Sequence, residues 1–278
     1  MRYQYQQLGS YNGISTILRE NYRPMQEPSY PENNMAIVAL IRGREDGYKD
    51  FLSRTRSILN QEWSKRYDQI VVHEGDITAS DQRQIIRDLN IDIEFIDIAS
   101  HFETGKKRTE KAKENPPANC KYFDSNNTEY GYKTMCDFWF RLFPTVIPRR
   151  YKSILRIDDD VILEPNLTDP TPEDDVVFSS AQYQGLDDAN VIHGLEQFSR
   201  EFSHENSLIW KSDGIWRSPI TNVMYIKMTF ARSPIVRKFQ ETVDISNCIY
   251  SNRWGDLPLW GALLTMLNLP EHTMKLRY

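Results

Sequence analysis

Apolar runs and amphipathic segments alternate over the first hundred residues. The continuous apolar run 35–41 predicts a strand that is buried on both faces. Apolar residues recur at helical spacing over 48–60, a second strand is expected over 69–73, and a helix near 80–89 precedes a third strand over 91–98. Strands and helices that alternate with short links predict an α/β fold whose mainly parallel sheet is flanked by helices.

The pattern is less regular in the middle of the chain. Residues 101–127 are polar and rich in lysine, which favours a long mobile loop. An apolar helix is expected over 130–143, where it would stop before Pro144, and a further strand over 176–179. Residues 180–218 show no clear periodicity and are expected to be irregular.

The last sixty residues predict one strand and two helices. The strand is expected over 221–231. Ser233 and Pro234 are typical of the first positions of a helix, as the N-cap and the first helical residue. A second helix is expected over 257–269.

Three consecutive carboxylates, Asp158, Asp159 and Asp160, follow a short apolar run that starts at Tyr151. The run predicts a buried strand that ends at the triplet. Adjacent carboxylates repel one another, so their grouping favours a bound cation. Asp158 and Asp160 would suit Mn²⁺ or Mg²⁺, which shares its oxygen ligands with substrate phosphates. An acidic surface turn is the alternative.

Parallel sheets bind ligands at the carboxyl ends of their strands. Arg42, Gly43 and Arg44 follow the first strand, so they are expected on the same rim as the Asp158–Asp160 triplet. The chain has neither GxGxxG nor GxxxxGK[ST], which excludes a dinucleotide oxidoreductase and a P-loop enzyme. A nucleotide would therefore be held through a metal and side chains.

Composition limits the partners and the covalent chemistry. The net charge of −5 over 278 residues argues against nucleic acid as the main partner. The three cysteines form no CxxC pair, so isolated thiols are expected in place of a disulfide or a zinc site. No apolar run approaches the roughly 18–20 residues that a membrane span needs, and no signal-peptide core is present. A soluble protein is expected.

Four blocks of the sequence are similar to those of one family. They are Ala36–Glu45, Gly131–Phe138, Tyr151–Val161 and Arg253–Pro258, the last with Arg-Trp-Gly-Asp almost residue for residue. The blocks resemble, in order, those of the fungal Golgi α-1,2-mannosyltransferases (glycosyltransferase family 15). The resemblance is distant and covers about residues 35–270.

This resemblance implies one GT-A catalytic domain over 35–278, preceded by an N-terminal arm over 1–34. Residues 35–163 would form the nucleotide-sugar-binding half and 164–278 the acceptor-binding half. The implied activity is a metal-dependent glycosyltransferase that moves a sugar from a nucleotide-diphosphate sugar to a hydroxyl of an oligosaccharide or glycoprotein. The implied cofactor is Mn²⁺ or Mg²⁺.

Candidate site residues follow from the matching blocks. Asp158 and Asp160 would hold the metal. The nucleotide-sugar would be contacted by residues of the first loop, of the matching helix and of the acidic triplet, namely Arg42, Gly43, Arg44, Tyr132, Asp158 and Asp159.

Two positions depart from the family. Met224 stands where the family has a glutamate proposed to act at the anomeric carbon, and Trp260 stands where it has a metal-binding histidine. Neither side chain can do that chemistry. The two departures therefore argue against the transfer of mannose and against retention of the anomeric configuration. His272 is a candidate for the missing metal ligand.

An inverting enzyme would need a carboxylate base to deprotonate the acceptor. Asp256 is the first candidate for this base, and Asp213 is the second. A helix N-cap is the structural alternative for Asp256.

The donor would be a UDP-sugar such as UDP-xylose, or GDP-mannose. Without an anchor in the sequence a cytoplasmic enzyme is expected, for example a viral one in its host cytoplasm; the Golgi lumen would require an anchor that has been removed. One rival is a catalytically decayed GT-A protein that binds carbohydrate. A second rival, a nucleotidyltransferase, would need a lysine-bearing glycine-rich loop after the first strand, and 42–46 has no lysine.

Overall fold

The computed structural model describes residues 34–43, 47–115, 130–165, 167, 175–180, 192–210, 219–252 and 254–269. Six strands form one mixed sheet in the order β3-β2-β1-β4-β6-β5. The strands are β1 (Met35–Ile41), β2 (Asp68–His73), β3 (Ile93–Asp97), β4 (Ser153–Ile157), β5 (Val176–Ser180) and β6 (Ile220–Lys227).

Strands β1 to β4 run parallel to one another, which is the arrangement that their sequence pattern predicts. β1 lies between β2 and β4, and β2 lies between β1 and β3. β6 is antiparallel both to β4 and to β5. The mainly parallel α/β sheet expected from the sequence is therefore confirmed.

Helices cover both faces of this sheet. In chain order they are α1 (Lys49–Leu59), α2 (Ala79–Leu89), α3 (Ala99–Glu114), α4 (Tyr130–Asp137), α5 (Phe143–Val146), α6 (Leu195–Glu205), α7 (Met228–Ala231), α8 (Pro234–Ser246), α9 (Cys248–Asn252) and α10 (Asp256–Met266). A 3₁₀ turn spans Glu62–Arg66, and a π-helical segment spans Phe138–Leu142.

Alternate residues of β4 enter different parts of the core. Ile154 packs with aromatic residues of the π-helical segment and of α8 and α10 on one face. Leu155 and Ile157 pack on the other face with Ile58 of α1 and with Trp63. The strand that leads to the acidic triplet is therefore buried on both faces of the sheet.

The prediction of a polar loop over 101–127 is wrong for its first part, because α3 continues to Glu114. Its buried side is narrow and made partly of small residues, Phe102, Gly105, Thr109 and Ala112. A stripe with only one large apolar residue gives a weak sequence signal, and the surrounding lysines and glutamates obscured it. Residues 116–129 lie outside the described part.

Other boundaries also differ from the sequence predictions. Helix α6 lies within 180–218, which was expected to be irregular, and buries Leu195 and Phe202. The helical chain does not stop before Pro144, since α5 starts at Phe143 and accommodates the proline in its first turn. The strand expected over 221–231 ends at Lys227, and α7 begins at the next residue, Met228.

The cysteines also differ from the expectation of three isolated thiols. Cys136 is a free, buried thiol, whereas Cys248 is disulfide-bonded. The bonding partner lies outside the described residues.

Among the described helices, none has the length and apolar character that crossing a membrane requires. Residues 1–33 of the expected arm lie outside the described part, and the proposed division at residue 163 stays a prediction.

Candidate active site

The carboxyl ends of the parallel strands meet at one edge of the sheet. β1 and β4 are neighbours there, with β2 on the far side of β1. β6 runs in the opposite direction, so its first residues lie at the same edge, where Val223 pairs with Ile157. The crossover from β1 leads to β2 on one side, whereas the connection from β3 returns to β4 on the other side of β1, and ligands of open α/β sheets bind at such a switch point.

The loop after β1 is packed tightly against the loop after β2. The backbone N–H of Gly43 donates to Asp76 Oδ2 at 2.6 Å. A Cβ at position 43 would lie 2.9 Å from the backbone oxygen of Asp76, so only glycine fits without a shift of the loop. Arg42 and Gly43 therefore lie at the switch point as predicted, and Arg44 lies outside the described residues.

Acidic groups follow β2 at this edge. Burial, and then the charge of Asp76, raises the pKa of Glu74 to about 7, and Arg42 opposes this shift. Gly75 adopts a positive φ of 89°, and a Cβ there would meet the Cβ of Ala99 at 2.5 Å. Sequence reasoning did not select Glu74, since a single glutamate after a strand carries no pattern.

The Asp158–Asp160 triplet follows β4 directly. The backbone N–H of Asp158 donates to the carbonyl of Asn222 at 2.9 Å, which extends the β4–β6 pairing by one residue. Val161 and Leu163 are buried, whereas Asp160 between them and the strand is exposed. The apolar residues on either side thus anchor a turn that presents the acids at the rim.

Arg156 holds Asp158 from within the core. Its Nε and Nη2 donate to the two carboxylate oxygens of Asp158 at 2.7 and 3.0 Å. Its Nη1 donates to Asp256 Oδ2 at 2.6 Å, and its guanidinium lies 4.4 Å from the ring centroid of Trp139. Asp158 and Asp256 raise the pKa of Arg156 more than burial lowers it, so the guanidinium stays charged.

A second buried arginine approaches the end of β4 from the opposite face. Arg54 of α1 donates from Nη2 to the carbonyl oxygen of Ile157 at 2.9 Å. Burial lowers its pKa to about 9, and the charges of Asp158 and Asp159 oppose this. Neither arginine was selected from the sequence, because an arginine in a helix or in a strand reads as a surface residue unless its partners are known.

Asp256 is the first residue of α10, and its side chain is 1% exposed. Its Oδ2 accepts hydrogen bonds from Arg156 and from the hydroxyl of Thr221, the latter at 2.8 Å. The N-cap position belongs to Gly255, so the alternative of Asp256 as N-cap is wrong. Arg156 thus connects Asp256 to Asp158 of the triplet. The role of Asp256 as a base stays a prediction.

Of the remaining candidates, Tyr132 alone belongs to the described residues. Tyr132 of α4 hydrogen-bonds the thiol of Cys136, which lies against Asp256. Asp213 and His272 lie outside the described residues. Met224 pairs with Arg156 across the strands and is fully buried, and Trp260 packs edge-to-face on Phe140 at 5.5 Å. Both departures from the family are thus core residues in this chain.

A divalent cation fits the charges of this strand end. Within the described residues no three histidine, cysteine or acidic side chains converge to hold a metal by themselves. Mg²⁺ and Mn²⁺ need only one or two carboxylates when substrate phosphates supply other ligands. The triplet and Asp256 together carry four carboxylates, and the guanidinium groups of Arg54 and Arg156 face them. The carboxylates therefore exceed the guanidinium groups by two, which is the charge of one such cation.

Comparison with known proteins shows likeness in structure only. No protein-family model matches the sequence, and no curated protein matches it. Core-mannan synthase A from Aspergillus fumigatus, solved in an Mn/GDP form, matches with a TM-score of 0.66 at 14% identity over 86% of this chain and 71% of its own. The mannosyltransferase Ktr4p from S. cerevisiae, in complex with GDP, matches with a TM-score of 0.68 at 17% identity over 91% and 73%.

A third structure extends the comparison beyond fungi. Mouse xyloside xylosyltransferase 1 in its apo form matches with a TM-score of 0.51 at 14% identity over 87% of this chain and 85% of its own. The GT-A fold expected from the sequence is confirmed, and the structures of fungal mannosyltransferases are among the matches, as the resemblance implied. The low identities make the likeness distant.

Proposed function

We propose that the protein is a metal-dependent glycosyltransferase that transfers a sugar from a nucleotide-diphosphate sugar to a glycan hydroxyl. The observation that carries the proposal is the place of the Asp158–Asp160 triplet. It follows β4 at the switch point, where buried Arg156 binds Asp158 and buried Arg54 binds the carbonyl of Ile157. The structural neighbours named as a mannosyltransferase and a xylosyltransferase share this fold and support the proposal.

The reaction exchanges one bond at the anomeric carbon. The bond from C1 to the diphosphate oxygen breaks, and its electron pair leaves with the nucleoside diphosphate. A bond forms from C1 to the acceptor oxygen, whose proton passes to a base. Asp256 and Asp213 stay the predicted bases, and configuration at C1 is inverted or retained according to the side from which the acceptor attacks.

A divalent cation would supply charge neutralisation for the leaving diphosphate. Asp158 and Asp160 would hold it, and Asp159 would contribute to the negative field of the rim; His272 stays a predicted ligand. Arg42, Gly43 and Arg44 would line the nucleotide pocket from the end of β1, where the close contact of Gly43 with Asp76 fixes the loop. Tyr132 is proposed to approach the donor from α4.

The proposed donor is a GDP- or UDP-linked sugar. Two fungal neighbours were solved with GDP, which supports a GDP-linked donor, and the mouse neighbour is a xylosyltransferase, which supports xylose as the transferred sugar. UDP as the nucleotide stays a prediction. The acceptor is proposed to be an oligosaccharide or glycoprotein. No nucleic-acid partner is proposed, because the chain carries a net charge of −5.

Calorimetry with GDP and with UDP, each with and without Mn²⁺, tests this function. We expect one nucleotide to bind in the presence of Mn²⁺ and its affinity to fall at least tenfold after chelation with EDTA. Asp160→Asn should reproduce that loss in the presence of Mn²⁺, because it removes one anionic ligand. Asp88→Asn makes the same change at an exposed site in the last turn of α2 and should leave binding unchanged.

The result also separates the rival function. A catalytically decayed carbohydrate-binding protein is favoured by the two buried core residues, Met224 and Trp260, at positions where the resembled family has functional side chains. Such a protein would bind an oligosaccharide but hydrolyse no nucleotide sugar. Absence of nucleotide binding with either Mn²⁺ or Mg²⁺ would refute the transferase proposal itself.

We further propose an oxidising compartment for the protein. The disulfide at Cys248 supports this, since disulfides persist in the secretory pathway and outside cells and are rare in the cytosol. A cytoplasmic location, expected from the sequence, would require that bond to be absent in the cell.

A further inference from the structure

The carboxylate of Asp158 has a fixed orientation. Arg156 donates to both of its oxygens, which fixes the plane of the carboxylate as well as its position. Each oxygen keeps a further lone pair, so the group can still accept a cation on its exposed side. The side chain of Asp158 is 27% exposed, whereas that of Arg156 is 3% exposed.

Asp256 fixes the third nitrogen of the same guanidinium. Its Oδ2 receives both the Arg156 Nη1–H and the Thr221 hydroxyl, and with 1% exposure its side chain is closed to an acceptor sugar. Trp139 covers one face of the guanidinium at 4.4 Å. Arg156 therefore has a fixed position, set by Trp139 of the π-helical segment and by Asp256 of α10.

We infer that Asp256 is a positioning residue, which acts through Arg156 on the metal-binding carboxylate of Asp158. This inference rests on the proposed function. It assigns to the aspartate of the Arg-Trp-Gly-Asp block a task in metal binding, in place of proton transfer from the acceptor. Groups that orient a metal ligand from behind change metal affinity about 10- to 100-fold when they are removed.

Removing the charge of Asp256 should weaken the binding of a divalent cation. Asparagine keeps an oxygen that can accept from Arg156, so the shape of the network survives. Arg156 then has only one anionic partner and draws more strongly on Asp158, and the strand end loses one negative charge. Both effects weaken the binding of a divalent cation.

Mn²⁺ titrated alone into the wild-type protein and into Asp256→Asn measures this effect by calorimetry. We expect the dissociation constant for Mn²⁺ to rise about 10-fold or more in the variant. The pH profile of nucleotide-sugar hydrolysis at saturating Mn²⁺ should keep the acidic limb of the wild type. The loss of activity should largely be recovered by excess Mn²⁺.

Asp137→Asn is the matched control. Asp137 is also 1% exposed and paired with an arginine, since Arg141 donates to both of its oxygens, and it accepts from the Tyr250 hydroxyl. This variant reports the general effect of neutralising a buried, arginine-paired carboxylate. It should lower the melting temperature without a change in the affinity for Mn²⁺.

Thr221→Val provides a second, milder variant in case Asp256→Asn does not fold. It removes one donor to Asp256 at nearly constant volume, and we expect a weaker Mn²⁺ affinity by a factor of about 2 to 5, in line with the loss of about 0.5 to 1 kcal/mol from one hydrogen bond.

Distinct outcomes separate the two proposals. Wild-type affinity for Mn²⁺ in Asp256→Asn, together with a loss of turnover that excess Mn²⁺ does not recover and a lost acidic limb, would identify a base and overturn the positioning role. A wild-type protein that binds neither Mn²⁺ nor nucleotide would refute the proposed function, and the positioning role with it.

Discussion

The two buried arginines at the rim have different environments, and the sequence alone does not reveal this difference. Arg54 and Arg156 look alike in sequence, yet burial lowers the pKa of Arg54 to about 9 whereas two aspartates raise that of Arg156. The difference follows from partners: Arg54 binds a neutral carbonyl and Arg156 binds two carboxylates. Nearby carboxylates outweigh the effect of burial on the pKa of Arg156, whereas the charges of Asp158 and Asp159 offset only part of it at Arg54.

Glu74 gives a pH prediction at this scale. Burial raises its pKa from 4.5 to about 7, so the folded protein holds a proton that the unfolded chain releases from about pH 4.5 upward. The folded state binds more protons within this window, and stability should therefore fall as the pH rises from about 4.5 to about 7.

Glu74→Gln removes that contribution because glutamine does not titrate. Urea unfolding of both proteins across this pH range should show stabilities that diverge up to about pH 7 and then stay apart by a constant amount, with the variant the more stable. Parallel curves from pH 4 to pH 8 would show that Glu74 has an ordinary pKa.

At the scale of elements, helices α3 and α4 approach unusually closely. A Cβ at Gly105 of α3 would lie 2.0 Å from Oγ1 and 3.0 Å from Cβ of Thr134 in α4. Thr134 donates its hydroxyl to the carbonyl of Tyr130 at 2.6 Å, which keeps the side chain in place. The two helices therefore depend on a glycine for their spacing, and helix propensity alone would have disfavoured it.

Gly105→Ala should destabilise the protein by about 1–3 kcal/mol, since overpacking forces the helices apart. The double variant with Thr134→Ala should recover part of this loss, because Oγ1 is removed while the Cβ contact at 3.0 Å persists. The free energy of unfolding in urea measures both.

Gly131→Ala is the control within α4, where an added Cβ meets nothing within 4 Å. It should be neutral or stabilising by up to about 1 kcal/mol, because alanine is the better helix former. Equal effects at positions 105 and 131 would contradict the close approach of the two helices.

At the scale of the whole molecule, the two described cysteines differ chemically. Cys136 is a free thiol whose pKa is raised by burial, so it should react with alkylating reagents only after unfolding. Cys248 is in a disulfide and should stay unreactive even in the unfolded protein until a reductant is added.

Mass spectrometry after alkylation distinguishes these classes. In denaturant without reductant the peptide with Cys136 should carry the label, and the peptide with Cys248 should carry it only after reduction. Labelling of both peptides before reduction would contradict the disulfide, and with it the support for an oxidising compartment.

The sequence by itself determined the elements that have strong and local signals. The apolar run of β1 is continuous, and β2 and β4 each hold three aliphatic residues, so strands follow from their composition, and the turn at Asp158–Asp160 is marked by charge. Helix α3 was missed because its buried side consists largely of small residues, and α6 because it lies between stretches without periodicity.

Only the tertiary structure decided how the acids are used. Arg156 and Asp256 are a hundred residues apart, and Arg54 reaches the same strand end from the opposite face of the sheet. Pairing of buried charges depends on which elements meet after the chain has folded, and hydrophobic periodicity carries no information about that choice. For this physical reason the sequence located the acidic rim, whereas the structure assigned Asp256 a buried arginine as its partner.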